Sequence, residues 1–105
     1  MRVIAKPRLR RFWEEHKDAQ EPLSSWWKVS RRSDWRSIRD VRLTYPHADA
    51  VLLDCGLQVT VFNVGGNKYR LVTRIIYEHH RIYIKAVLTH AQYARGKWKV
   101  QLCRE

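Results

Sequence analysis

Alternating apolar and polar positions between Gln58 and Tyr93 predict three consecutive β-strands. The apolar side chains that follow this period of two are Val59, Val61, Leu71, Ile75, Ile82, Ile84 and Leu88. A period of two is typical of strands, because successive side chains point to opposite faces. The run Gly65-Gly66-Asn67 supplies residues that tolerate positive φ, so we expect a tight turn between the first two strands. The stretch is therefore predicted to form a three-stranded antiparallel meander.

The two faces of this meander are predicted to differ in character. Strict alternation assigns one face to the core, with Leu71, Thr73, Ile75, Ile82, Ile84, Ala86 and Leu88. It assigns to the other face Arg70, Arg74, Lys85 and Tyr83. From Cys55 to Arg104 the chain has nine Lys or Arg residues and one acid, Glu78. A cationic face that also carries an aromatic ring is expected of a surface that meets phosphates.

Helical spacing dominates the first half of the chain, after a short predicted strand over residues 2–5. A first helix follows Pro7 and carries one apolar stripe, formed by Leu9, Phe12, Trp13 and His16. A second helix opens at Pro22, and a third, capped by Ser33 and Asp34, ends at Pro46. Together with the meander, this order predicts an α+β fold. We expect an N-terminal strand and two to three helices packed on one side of a small antiparallel sheet.

The sequence leaves the structure or the role of several segments open. Residues 48–53 and 96–105 are not assigned to helix or strand. Trp26 and Trp27 have the spacing of core residues, although stacking on nucleic acid is conceivable. The row Arg36, Arg39 and Arg42 fits a solvated helix face and a contact surface equally well.

Length and composition indicate one domain over residues 1–105. The net charge is +11 and the sequence pI is about 10.3, which favours a polyanion or an acidic protein as partner. Cys55 and Cys103 lack the spacing of a metal site or a disulfide framework, so we expect both to be reduced. No signal peptide or membrane span is recognised, and a cytoplasmic location is expected.

His90 is the first candidate for proton transfer, because it follows the last meander strand, where an imidazole can face solvent and substrate. The alternative is an exposed histidine that only caps the next turn. Tyr93 lies three residues further and could stack on a base or take part in proton transfer. The sequence has no HExxH motif, no carboxylate cluster and no phosphate loop, so metal-free chemistry without a cofactor is expected.

Fixed cations are the other candidates. Arg70 and Arg74 could brace phosphate oxygens, or could be a solvated face. Weaker versions of the same argument apply to Lys68 and Lys85. Asn63, beside the turn, could orient phosphate or base or simply fix the turn. The adjacent His79 and His80 lack metal-site spacing and are interpreted as a solvated turn.

The run VFNVGGNKYRLV, followed about twenty residues later by LTHAQY, resembles the HigB toxins of bacterial toxin–antitoxin modules, within the RelE-like superfamily of mRNA interferases. The resemblance implies ribosome-dependent cleavage of mRNA and a cognate HigA-type antitoxin as partner. It matches Arg70 to the arginine of the YRLV motif, His90 to the strand-exit position and Tyr93 approximately to a C-terminal tyrosine. Asn63 stands where some relatives carry a lysine, so a general-base lysine is absent there.

Two other functions remain compatible with the sequence. The chain could be a basic module that binds RNA or the ribosome without cutting. It could also be a toxin of the same fold class that acts on another target, such as DNA gyrase.

Overall fold

Five strands form one mixed sheet in a computed structural model that describes residues 1–105. The strands are β1 (Arg2–Ile4), β2 (Asp49–Leu52), β3 (Gln58–Val64), β4 (Tyr69–Ile76) and β5 (Arg81–Thr89). The helices are α1 (Lys6–Glu15), α2 (Gln20–Arg32), α3 (Ile38–Thr44), α4 (His90–Arg95) and α5 (Lys97–Cys103). The predicted α+β class is confirmed. None of these helices is long and apolar enough to cross a bilayer.

The predicted meander is the centre of the sheet. Its spatial order is β1-β5-β4-β3-β2, with β3, β4 and β5 antiparallel neighbours. Gly65 and Gly66 have φ of +63° and +69°, which explains why glycines occupy this turn. The outer strands complete the sheet, because β1 joins β5 in parallel and β2 joins β3 antiparallel. Residues 48–53, unassigned from sequence, therefore contain an edge strand.

One face of the sheet packs against the first three helices. This core includes Leu9, Leu23, Trp26, Trp35, Val41, Phe62, Leu71 and Ile82. Trp26 is only 2% exposed, and its ring meets Phe62 edge-on with centroids 5.3 Å apart. The expectation that Trp26 packs in the core is confirmed. Trp27 is partly exposed, with the Lys6 ammonium 3.9 Å from its ring centroid.

The opposite face is covered as well, which the sequence did not predict. Trp98 and Leu102 of α5 pack with Leu53, Val59, Val61 and Val72 in a second core. The expectation of a wholly open cationic face is therefore wrong for the middle of the sheet. Only two of the seven α5 residues are buried. Two apolar anchors in so short a segment are too few for a periodicity to reveal the helix.

A bulge changes the face assignment in β5. Val72 pairs with Ala86 whereas Thr73 pairs with Ile84, so Lys85 is an extra residue between two regular pairs. Because the side-chain period is two, one extra residue exchanges the faces beyond it. Ala86 and Leu88 consequently pack against the second core, and Val87 packs with the first three helices. The strict alternation predicted for β5 is wrong from this point onward.

The predicted cap of the third helix is also misplaced. Ser33 ends α2 instead, where its hydroxyl donates to the Val29 carbonyl at 2.8 Å. Asp34 lies 2.9 Å from the His80 ring. The third helix begins one turn later, after Ser37, and ends before Pro46 as expected. Ser and Asp side chains can bond to several nearby groups other than a helix N-terminus. Here Ser33 bonds to Val29 and Asp34 to His80, so neither caps the third helix.

Cys55 and Cys103 form a disulfide with a Cα–Cα distance of 5.9 Å. The expectation of reduced thiols is therefore wrong. The two residues are 48 positions apart in the sequence. They meet because α5, which ends at Cys103, packs on the sheet beside the turn between β2 and β3, which contains Cys55. The bond fastens the last helix to the sheet.

We predict that replacing both cysteines by serine (C55S/C103S) lowers the free energy of unfolding by about 4 kcal/mol, because the unfolded chain gains the freedom of a long open loop. Urea denaturation would measure the loss. Wild-type protein in dithiothreitol serves as the matched control, and its urea midpoint should equal that of the double variant. An unchanged midpoint in both would show that the bond does not constrain the chain.

Candidate functional site

Several sequence-predicted residues meet at the end of the sheet where β4 begins and β5 ends. Tyr69 pairs with Thr89, and Arg70 lies between Asn63 on one side and Leu88 on the other. His90 follows Thr89 directly and starts α4. We call this end of the sheet the rim, defined by Asn63, Lys68, Arg70, His90 and Tyr93.

His90 is held through its backbone while its side chain stays exposed. The Thr89 hydroxyl accepts from the Gln92 amide at 3.2 Å, and the Gln92 side chain accepts from the Thr89 amide at 2.9 Å. This reciprocal capping box fixes the first turn of α4. The His90 amide also donates to the Lys68 carbonyl at 2.9 Å, which ties the turn to β4. The T-x-x-Q spacing was readable in the sequence, but the role of Gln92 was missed.

Tyr93 lies one turn after His90 and is enclosed by two neighbours. Its ring stacks on Trp98 with centroids 5.2 Å apart and planes 16° from parallel. The Trp98 indole donates to the Tyr93 carbonyl at 3.1 Å, and the Arg70 guanidinium carbon lies 5.6 Å from the phenol centroid. Trp98 was not singled out from sequence, because the helix that presents it was not recognised.

The environment of Tyr93 raises the pKa of its phenol above 10. Burial is the main cause, the Asp49 carboxylate adds to it, and the Arg70 charge opposes it. The neutral phenol is therefore favoured further at ordinary pH. Such a group can donate a hydrogen bond or stack, but it is a weak base.

Arg70 carries an unneutralised charge at the rim. Its Nη1 donates to the carbonyls of Asn67 and Tyr69, each at 3.2 Å, so the side chain is oriented by neutral acceptors. No carboxylate oxygen lies within ion-pair distance of the guanidinium. The half-buried guanidinium can therefore receive an external anion through its remaining donors.

Lys68 is the exception among the rim cations, because it is paired with an acid. Its ammonium lies 2.9 Å from Asp18, whose other carboxylate oxygen accepts from the Tyr69 hydroxyl. These bonds, first to Tyr69 and then to Lys68, lower the pKa of Asp18 below its usual value. They also attach the connection between α1 and α2 to the start of β4. Asp18 was not recognised from sequence.

The other predicted site residues lie elsewhere on the sheet. Arg74 is four residues along β4 from Arg70, about 13 Å at the usual rise of a strand. It pairs with Tyr83 and lines a cavity of 730 Å³, and neither His90 nor Tyr93 lines that cavity. The Lys85 ammonium lies 3.6 Å from the Glu105 carboxylate. The structure thus brings His90, Tyr93, Arg70, Asn63 and Lys68 together, but not Arg74, Tyr83 or Lys85.

The histidine pair at the opposite end of β5 is exposed. His80 adopts a left-handed backbone at φ +53° in the turn before β5. Across the chain, no group of three or more His, Cys, Asp or Glu side chains is arranged to hold a metal ion.

Comparisons with known proteins match this region. A family described as HigB toxin, RelE-like toxic component of a toxin–antitoxin system, matches residues 19–96, which include every rim residue. The mRNA interferase toxin HigB of Escherichia coli K12 is 48% identical over 33 residues, or 31% of this chain. The mRNA interferases HigB of E. coli O157:H7 and Shigella flexneri show the same identity over the same length. The match covers about a third of the length of these curated relatives, at 32%.

We predict that Asp18→Asn removes part of the acid sensitivity of folding. The folded-state pKa of Asp18 is lowered, so its carboxylate stabilises the fold above the unfolded pKa of about 3.9 and loses this effect as the pH falls through the folded value. Wild type should therefore exceed the variant in urea midpoint at pH 7, with the gap closing on acidification. Asp54→Asn, at an exposed residue without a partner, is the control. Parallel curves for wild type and Asp18→Asn would refute the role of this carboxylate.

Proposed function

The chain belongs to the HigB toxin family, the RelE-like toxic components of toxin–antitoxin systems, and on that premise we propose that it is an mRNA interferase. It would cut translated mRNA on the ribosome without a metal ion and be neutralised by a cognate HigA-type antitoxin. The observation that carries the proposal is the rim itself. There an exposed imidazole, a protonated phenol and an unneutralised guanidinium share one end of the sheet.

The reaction is an internal transfer at one phosphodiester. His90 takes the proton of a ribose 2′-hydroxyl while the 2′-oxygen forms a bond to phosphorus. The bond from phosphorus to the 5′-oxygen then breaks. The products are a 2′,3′-cyclic phosphate and a 5′-hydroxyl, once the leaving oxygen has gained a proton. An imidazole can accept a proton on one ring nitrogen and release it again, so it suits this proton transfer, which is worth roughly 10²- to 10⁴-fold in rate.

Arg70 supplies the fixed positive charge. Extra negative charge collects on the non-bridging oxygens when phosphorus carries five oxygen neighbours, and a guanidinium can meet two of them with parallel donors. Two backbone carbonyls already orient this side chain, so little freedom is lost when an anion arrives. Asn63, on the adjacent strand and exposed, would contact the same phosphate or its base.

Tyr93 would act as a donor rather than as a base. Its raised pKa keeps the proton on the phenol, which can hydrogen-bond a phosphate oxygen or protonate the leaving 5′-oxygen. The stack on Trp98 holds the ring one helical turn from His90. The raised pKa of Tyr93 therefore supports Tyr93 as the donor and His90 as the base.

Dependence on the ribosome is supported by how open the rim is. His90 and Asn63 are exposed, and neither lines the cavity of 730 Å³. Isolated RNA would have to lose its own flexibility to meet these groups. A message held by the ribosome has already lost this conformational freedom, which favours translated mRNA as the substrate.

We predict that wild-type protein added to translating ribosomes creates discrete new mRNA ends that carry a 5′-hydroxyl, and that His90→Ala creates none. Primer extension, with and without prior phosphorylation of the 5′ ends, would detect them. His47→Ala, at an exposed histidine outside the rim, is the matched control and should cut like wild type. Intact message with wild type would favour a pure binder or a toxin with another target, and a gyrase assay separates those two.

We predict that Arg70→Gln lowers the cleavage rate by about 10²- to 10³-fold, the usual loss when one preorganised donor to a transition-state oxygen is removed. Arg74→Gln removes the same charge about 13 Å away along β4 and should leave the rate at saturation within a few-fold. Single-turnover rates at saturating ribosome concentration distinguish the two. Equal losses in both variants would mean that Arg70 acts only through long-range attraction.

A further inference from the structure

A second cationic surface lies at the opposite end of the sheet from the rim. A cavity of 660 Å³ there is lined by Met1, Arg2, Val3, Trp27, Arg31, His79, His80 and Arg81. We call it the N-terminal groove. β5 connects the two sites, since Arg81 begins that strand and Thr89 ends it. Eight residues at the usual rise place Arg81 about 26 Å from Thr89, the residue before His90.

Two arginines of the groove lie side by side. Arg2 and Arg81 are paired in the parallel register of β1 and β5, so they sit on adjacent strands about 4.8 Å apart. The Arg2 amide also donates to the His80 carbonyl at 2.7 Å, which holds this register at the turn. Like charges directly opposite one another destabilise a sheet. An anion placed between the two side chains would offset their repulsion.

Further positive groups are held in place around them. The Trp27 ring has the Lys6 ammonium 3.9 Å and the Arg31 guanidinium carbon 4.6 Å from its centroid. Cation–π contacts of this kind restrict long side chains without cancelling their charge. The groove therefore presents several cations whose positions are already restricted.

Almost nothing neutralises this charge. The protein has three ion pairs between side chains, and none includes Arg2, Arg31 or Arg81. Asp34 is the one acid in contact with a residue of the groove, and it bonds His80 at 2.9 Å. At the rim, by contrast, Lys68 is paired with Asp18. The groove thus carries three arginines outside any ion pair, whereas the rim as defined carries one, Arg70.

The chemistry of the groove favours RNA over an acidic protein. Guanidinium groups match phosphate oxygens with paired donors, whereas protein interfaces are built around a buried apolar centre. The exposed large apolar side chains of this protein are Val29, Leu43, Leu52 and Val100, and none lines the groove. An acidic peptide would find charge there, but apolar surface only at Met1, Val3 and Trp27, which are all partly buried.

We propose that the N-terminal groove is a second RNA-binding surface, in which Arg2, Arg31 and Arg81 hold backbone phosphates at a distance from the cut. This rests on RNA being the substrate, as proposed above. The groove takes no part in bond breaking, because it is too far from His90 to touch the same phosphate. Its contribution is affinity and the orientation of the RNA relative to the rim.

The test uses a short, unstructured 2′-O-methyl RNA, which lacks the attacking hydroxyl and cannot be cut. Its binding is followed by fluorescence anisotropy over a range of KCl concentrations. Replacing Arg2, Arg31 and Arg81 by glutamine should lower the absolute slope of log K against log salt by about 2, at about 0.7 per lost phosphate contact on a single strand. The matched control replaces Arg10, Arg11 and Arg104, three exposed arginines that form no ion pair, and should change the slope by less than 1.

Charge-preserving replacement of the same three groove residues by lysine should keep the wild-type slope, and the melting temperature of each variant separates a binding effect from misfolding. Equal slopes for the groove and control variants would overturn the proposal. The proposal would also be overturned if the three glutamine replacements weakened the binding of a poly-glutamate peptide more than the binding of the RNA. That result would assign the groove to an acidic protein. Because no cleavage is involved, failure of the cleavage assignment would leave this result unaffected.

Discussion

The antiparallel hydrogen-bond ladder between β4 and β5 decides which side chains can work together in this protein. It pairs Tyr69 with Thr89 and Arg70 with Leu88, so the chain leaves the sheet beside Arg70 and delivers His90 there. The bulge at Lys85 is part of the same ladder, and it exchanges the faces of the residues that follow it. A ladder without the bulge would turn Leu88 to the first core and Val87 to the second. The rim thus depends on backbone pairing more than on any contact between its own side chains.

The second core links stability to the proposed chemistry. Trp98 is buried against the sheet and also stacks on Tyr93, while the disulfide at the end of α5 fastens that helix to the turn after β2. Burying one large aromatic side chain contributes on the order of 2 to 3 kcal/mol. Residues that close the sheet therefore also fix the orientation of a phenol at the rim. Changes in α5 are expected to alter folding and function together.

Much of the fold followed from periodicity, and what did not has identifiable physical causes. Regular alternation located β3, β4 and the start of β5, and helical spacing located α1 and α2, because these elements each bury one long stripe. The bulge at Lys85 leaves no local sequence signal. The Cys55–Cys103 bond depends on a packing arrangement that only the folded chain creates. At the site, the strand-exit position of His90 was readable, whereas the separation of Arg74 from it required the register.

The family match covers residues 19–96, which include every residue of the rim. Chemical rescue of His90→Ala tests the central claim most directly. Message cleavage by this variant on translating ribosomes would be measured at increasing imidazole concentrations. If His90 transfers the proton, the variant is inactive alone, and free imidazole restores the same 5′-hydroxyl ends in proportion to its concentration. Cleavage at the wild-type rate without imidazole would contradict the account.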